Sequence, residues 1–128
     1  MKKLIAAEEF AQMVLCLYLL FQLTDHVSVL ALIPLFFVPD LFAIGFLVNN
    51  ATGTFLYNFS HHKLVAIALA AIGYFLASSF LLQAGVIFYA HSAFDRTLGY
   101  GLKYPGNHSK THLGFIGKEK HLNPPDLY

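Results

Sequence analysis

Apolar residues run almost unbroken along four stretches of the chain, with polar residues gathered at their ends. That is the pattern of helices surrounded by hydrocarbon rather than of helices with one wet face. A membrane-crossing helix needs about 20 mostly apolar residues, which places spans over residues 4–23, 28–48, 55–77 and 79–100. The run from Leu64 to Ala90 is too long for one span and too short for two. It divides only if the third helix begins near Phe55, carrying Tyr57, Asn58, His61 and His62, and the fourth continues through His91 and Asp95, with Ala77-Ser78-Ser79 as the turn. Gly99, Gly101, Pro105 and Gly106 then break the chain as it leaves the last helix. The expected fold is all-α: a four-transmembrane-helix up-down-up-down bundle over residues 1–104, followed by a short irregular cytoplasmic C-terminal tail, 105–128.

Charge tests that division independently. With four spans and a cytoplasmic N-terminus, Lys2, Lys3, Lys63, Arg96, Lys103, Lys110, Lys118 and Lys120 all fall on the cytoplasmic side, which accounts for all 8 basic residues. The outer turns near Thr24-Asp25-His26 and Ser78-Ser79 carry none, as the positive-inside rule requires. Both termini are therefore expected in the cytoplasm. The chain is 57% hydrophobic and 12% charged, where soluble domains are about 25% charged, so membrane lipids are its expected surroundings. A net charge of +1 argues neither for nor against nucleic acid, and the absence of a basic patch interleaved with aromatics argues against it as a partner. Cys16, the single cysteine, lies in an apolar run and leaves no intrachain disulfide. Met1-Lys2-Lys3 leads into Glu8 and Glu9 without a small-residue cleavage motif, so the first span is expected to be retained. A homo-oligomer is compatible with all of this.

The ionisable residues inside the spans carry the chemistry. At the helical rise, Glu9 lies about 7 Å in from the cytoplasmic end, Asp40 about 12 Å, His61 about 9 Å, His91 about 13 Å and Asp95 about 7 Å. Five such side chains from four helices share one layer. An acid at a helix centre costs on the order of 2.5–3.5 kcal/mol, so such residues face a bundle interior and mark a functional site. His91 and Asp95, at i and i+4, share a helix face. Protonation, mutual hydrogen bonding or a divalent metal each satisfies such a layer, and inward-facing Glu, Asp and His are how helical bundles hold metals. Blander readings compete: a His91–Asp95 hydrogen bond alone, a kink at Pro39-Asp40, and Glu8 or Glu9 reaching back to water.

Pro39-Asp40-Leu41, Tyr57-Asn58-Phe59-Ser60-His61, His91-Ser92-Ala93-Phe94-Asp95-Arg96, Leu98 to Tyr104 and Thr111-His112-Leu113-Gly114 together resemble the small bacterial integral membrane proteins grouped as domain of unknown function 4260. The likeness runs from the first helix to about Gly117. The family's early glutamate falls on Glu9, followed by Phe10 where the family has glycine, and Lys110 stands where it tends to have an acid. The resemblance implies the fold and a location in the bacterial inner (cytoplasmic) membrane, and no activity.

Three function classes follow. The first is a membrane-embedded metal-dependent enzyme, a hydrolase or oxidoreductase. It would hold a divalent metal, zinc or iron, on Glu9, Asp40, His61, His91 and Asp95 near the cytoplasmic side. Tyr57, Asn58, Arg96, Tyr100, Lys103, Tyr104 and His112 would support those ligands or meet substrate. In particular, Arg96 and Lys103 could hold an anion over the metal layer, while an interfacial belt of basic and aromatic residues is the alternative for the same set. The second class is a proton- or cation-coupled small transporter using the same relay of acids and histidines. It is disfavoured because the outer half of the membrane offers only Gln12, Gln22, Ser78, Ser79 and Gln83. The third is a non-catalytic membrane subunit whose polar layer locks helix packing.

Overall fold

Proline and capping residues, more than hydropathy, decide where the helices of this protein begin and end. The computed structural model describes residues 1–24 and 29–124, so the turn expected at Asp25-His26 and the last residues of the tail lie outside the described residues. Helix α1, Lys2–Leu23, has no interior glycine or proline and runs for 22 residues, about 33 Å. Of its residues only Glu9 and Leu20 are buried, so most of its apolar surface faces outward.

The second expected helix, 28–48, divides. Helix α2, Val29–Phe36, gives way to a 3-10 helix, Val38–Leu47. Pro39 has no amide to donate and disfavours the α conformation at Val38. The chain answers with i→i+3 bonds from Phe37 N to Pro34 O at 3.2 Å and from Asp40 N to Phe37 O at 3.1 Å. Ten residues of 3-10 helix is long for that geometry.

The third expected helix, 55–77, divides as well. Helix α3, Asn50–Ser60, starts early because Asn49 Oδ1 caps it, accepting from Thr52 N at 2.8 Å. It stops at His61, and α4, Lys63–Phe75, restarts behind His62, whose Nδ1 accepts from Leu64 N at 3.2 Å. Gly45 and Gly53 let α3 press on the 3-10 helix, since a Cβ at Gly45 would fall 3.1 Å from the Gly53 Cα. Helix α5, Ser79–Thr97, follows the expected turn, with Ser78 as its cap. It ends in a Schellman arrangement: Gly99 at φ 87°, Tyr100 N bonded to Asp95 O at 2.8 Å and Gly99 N to Arg96 O at 3.0 Å.

The tail is not irregular, as its glycines and proline suggested. It forms an antiparallel sheet in the order β1 (Lys103–Tyr104), β2 (Asn107–Thr111), β3 (Gly114–Phe115), then a 3-10 turn, Gly117–Leu122. Pro105-Gly106, with Gly106 at φ 85°, is the two-residue turn that pairs Tyr104 with Asn107. The Asn123 amide closes the sheet's far end, accepting from Phe115 N at 2.7 Å and donating to Phe115 O at 2.8 Å.

The protein is thus mostly helical with one small sheet. Helices α1 and α4 both pack on α5, while α3 packs on the 3-10 helix and touches β1. The α4–α5 contact is made by small residues: Ala66 and Ala90 are buried, and Gly85 lies against the Ala70 backbone. Large apolar side chains point outward instead, Leu30 at 79% and Phe75 at 82% exposure among them. Two helical segments, Lys2–Leu23 and Leu30–Leu47, are long and apolar enough to cross a membrane, with mean hydropathy 1.7 and 2.2.

Candidate metal centre

Each break in the helices delivers a side chain to one place. The α2-to-3-10 junction presents Asp40, the end of α3 presents His61, and the last turns of α5 present His91 and Asp95. Asp40 Oδ1 lies 3.3 Å from both His61 Nε2 and His91 Nε2. From the other side Asp95 Oδ2 lies 3.5 Å from His61 Nε2, and Asp95 Oδ1 lies 3.8 Å from His91 Nε2. One ligand atom from each of Asp40, His61 and His91 lies within 4.8 Å of the other two. The edge of a tetrahedron of zinc ligands, at the usual zinc–nitrogen length, is about 3.3–3.4 Å. The two distances to Asp40 Oδ1 match that edge.

The hydrogen bonds around His61 decide which nitrogen faces the carboxylates. Its Nδ1 lies 2.8 Å from Tyr57 O, an oxygen that can only accept, so Nδ1 carries a proton. Ser60 Oγ, also 2.8 Å from that nitrogen, lies 2.9 Å from Tyr57 O and 3.1 Å from Pro39 O and so sits between the imidazole and the proline before Asp40. In the neutral ring Nε2 is then a lone pair aimed at two carboxylates. That arrangement requires a cation at Nε2, either a proton or a metal, and a backbone carbonyl on the far nitrogen is the usual support of a metal-binding histidine. The His61 and His91 side chains are 3% and 1% exposed, whereas Asp40 is 48% exposed and forms the open edge. The His91 ring packs edge-on against Phe36 and Phe37, at centroid distances of 5.2 and 5.9 Å, and its buried Nδ1 has no hydrogen-bond partner among the described residues.

Tyr57 serves both sides of the cluster. Its ring stacks on His61 at 3.9 Å and its hydroxyl donates to Asp95 Oδ2 at 3.0 Å. Lys103 Nζ sits 3.9 Å over the opposite face of the same ring. Burial lowers the Lys103 ammonium from the ordinary lysine range, and the Asp95 and Asp40 carboxylates pull it back. Asn58 holds Lys103 in place, donating to its carbonyl at 2.8 Å and accepting from its amide at 2.7 Å. Removing two such bonds costs about 2 kcal/mol. Asn58→Ala is therefore expected to speed hydrogen exchange at the Lys103 amide while leaving α5 protected; unchanged exchange at Lys103 would contradict this role.

The remaining expected residues are more distant or differently engaged. Glu9 takes a different partner from the other four: Lys63 Nζ donates to Glu9 Oε2 and, at 2.6 Å, to Gln12 Oε1, which also accepts from Tyr89 at 2.7 Å. Glu8 is exposed. Arg96 reaches His61 O only at 3.5 Å. Tyr100 lines a narrow cleft with Tyr57, His61 and Asp95, whereas Tyr104 is exposed beneath Lys110 Nζ at 5.1 Å. His112 braces the sheet, its Nδ1 accepting from Leu102 N at 2.9 Å, and burial followed by the positive Arg96 lowers its imidazole below the usual histidine range.

Ser60, Lys63 and Gln12 had no role in the sequence reading of the site. Gln12 left a legible trace, a polar residue one turn beyond Glu9 in an otherwise apolar helix. The Lys63 pairing crosses 54 positions and left none.

The family described as domain of unknown function (DUF4260) matches residues 2–116. The chain belongs to that family. The match spans α1 through β3, so all four residues of the cluster lie within the family's domain. No curated protein and no solved structure matches the chain.

Proposed function

We propose that this member of the family is a membrane-embedded metal-dependent enzyme, acting as a hydrolase at the cytoplasmic side of a bacterial inner membrane. The observation that carries the reading is the position of His61 Nε2, 3.3 Å from Asp40 and 3.5 Å from Asp95, with the Tyr57 carbonyl 2.8 Å from Nδ1 on the far side of the ring. Asp40, His61 and His91 would hold a divalent ion, zinc or iron. Two imidazoles and one carboxylate leave a position open, as catalytic sites do.

A divalent ion bound there supplies Lewis acidity that brings the pKa of water toward neutrality. Asp95, expected from sequence as a ligand, is better placed as the base. Its Oδ2 is held by the Tyr57 hydroxyl, and its Oδ1 is left to accept the proton. The Lys103 ammonium over the Tyr57 ring keeps positive charge near Asp95. Phe36, Phe37 and Phe94 around His91 keep water from that side. Asp40, 48% exposed, is the open edge by which substrate would reach the site, and Leu41 and Ile44 near it are exposed too, at 69% and 67%.

The membrane placement rests on the two long apolar segments and on the outward apolar faces of α4 and α5. Exposed apolar patches of that extent are foreign to soluble monomers. In the four-span reading α1, the 30–47 segment, α4 with the end of α3, and α5 cross in alternation, with both termini and every Lys and Arg cytoplasmic.

Loading with cobalt tests the assignment, because its visible absorption reports a low-symmetry nitrogen and oxygen site. The native protein and Asp95→Asn are expected to give such a spectrum and His61→Ala to give none. Loss of pH dependence of the bands in Asp95→Asn would mark Asp95 as the base. An unchanged spectrum in His61→Ala would refute the ligand set.

A further inference from the structure

The Gln12 side chain uses only half of its amide. Its Oε1 accepts from Lys63 Nζ at 2.6 Å and from the Tyr89 hydroxyl at 2.7 Å, and because an ammonium can only donate, the atom facing Lys63 is the oxygen. Both acceptor positions are thus taken. The two N–H donors of the same amide have no hydrogen-bond partner among the described residues.

Helix geometry sets the depth of those donors. Gln12 lies about 15 Å along α1 from Lys2, and Tyr89 lies about 15 Å along α5 from Ser79. The two helices run antiparallel, since Gln83 Nε2 donates to Leu23 O at 3.2 Å at the far end of the same contact. Both lengths are half of a hydrocarbon core about 30 Å thick, so in the membrane placement given above the donors sit at its middle. Amide N–H groups at that depth meet neither water nor the ester oxygens of lipids.

A groove of about 520 Å³ lies beside them, among α1, α4 and α5. Gln12 and Tyr89 line one end, and from Ala66 the groove follows α4 for about 13 Å to Phe75. Small residues make the trough: Ala66 and Gly85 are buried, and Gly85 lies against the Ala70 backbone. Asp40, His61, His91 and Asp95 do not line it. An apolar concavity with a few placed polar groups is how proteins hold small apolar ligands.

We propose that this groove binds a prenylated quinone, with a ring carbonyl accepting from the Gln12 amide and the chain lying between Ala66 and Phe75. The occupant must bring a hydrogen-bond acceptor to the middle of the bilayer, which a diacyl lipid, with its ester oxygens near the surface, does not do. A quinone has no charged headgroup, dissolves wholly in hydrocarbon and carries both an acceptor and a long apolar chain. The site rests on the membrane placement and is independent of a metal in the His–Asp cluster.

Decylubiquinone added to the full chain in phosphatidylcholine nanodiscs tests this, with bound equivalents counted by native mass spectrometry. Cys16, the single cysteine, lines the groove and supplies a second readout, its rate of alkylation by N-ethylmaleimide. One saturable equivalent that slows this alkylation is expected, whereas decylbenzene, which has the chain but no carbonyl, should bind about tenfold more weakly. Gln12→Glu keeps an oxygen for Lys63 and Tyr89 but loses the N–H donors, and should weaken quinone binding by about tenfold while leaving decylbenzene unchanged. Ala71→Phe, on the exposed side of α4, fills the groove and should abolish binding of both. Equal binding of the two probes, quinone binding unchanged in Gln12→Glu, or no saturable binding to the inserted chain would overturn the quinone site. A stable dimer with Cys16 protected before any probe is added would overturn it too, by assigning the groove to a second copy. Release of the chain from membranes by alkaline carbonate alone would overturn the membrane placement and this site with it.

Discussion

On the proposed metal centre, alanine at His91 is expected to abolish metal binding. His91 Nε2 faces Asp40 Oδ1 at 3.3 Å and Asp95 Oδ1 at 3.8 Å from a helix position with no exposure. Loss of a hydrogen-bonding partner behind a ligand weakens metal binding roughly 10–100-fold, and loss of the ligand itself exceeds that. The substitution also opens a void against Phe36 and Phe37. His91→Gln, which keeps most of the volume, separates packing from ligation: both variants should lose metal in competition with a chromogenic chelator, and only the alanine should also lose thermal stability. Retention of metal by His91→Gln at native affinity would remove His91 from the ligand set.

The second large effect lies away from the cluster. A Cβ at Gly85 would fall 2.7 Å from Ala66 O and 2.7 Å from the Ala70 Cα, both backbone atoms that cannot swing aside. Gly85→Val therefore forces α4 and α5 apart along the contact that also sets the height of His91. Overpacking of this kind costs about 3 kcal/mol, a large share of the 5–15 kcal/mol by which proteins are stable. Unfolding in a rising fraction of denaturing detergent should shift well below the native midpoint. Ile72→Val, on the exposed side of α4, should leave it in place. An unshifted midpoint in Gly85→Val would contradict the close α4–α5 packing.

How much of this was legible depended on which residues carried the information. The extent of α1, the turn at Ser78 and the start of α5 followed from apolar length and from Ala77-Ser78-Ser79 read as a turn, and the structure has them where the pattern put them. The two divided helices did not follow, because hydropathy sees Pro39 and His61-His62 as small dips in long apolar runs. The backbone responds to a missing amide and to a competing cap instead. Those two divisions are the points at which Asp40 and His61 enter the cluster, so the fold departs from regular helix where its chemistry is placed. The sheet was signalled by Pro105-Gly106, whose glycine at φ 85° makes a hairpin turn. Treating that pair only as a helix breaker concealed it.

The structure brings Asp40, His61, His91 and Asp95 within 3.8 Å of one another across the His–Asp pairs, where the sequence offered only a common level along the helices. Depth alone could not place Glu9. Its direction around α1 turns it to Lys63, a partner that becomes available only because α4 starts anew at residue 63.

Elemental analysis of the detergent-purified native protein beside His61→Ala/His91→Ala tests the central claim most directly. About one equivalent of a divalent metal in the native protein, absent from the double variant, is the predicted result, with zinc pointing to hydrolysis and iron to redox chemistry. Equal metal content in both proteins, or none in either, would contradict a metal centre at Asp40, His61 and His91 and leave His61 Nε2 to a proton.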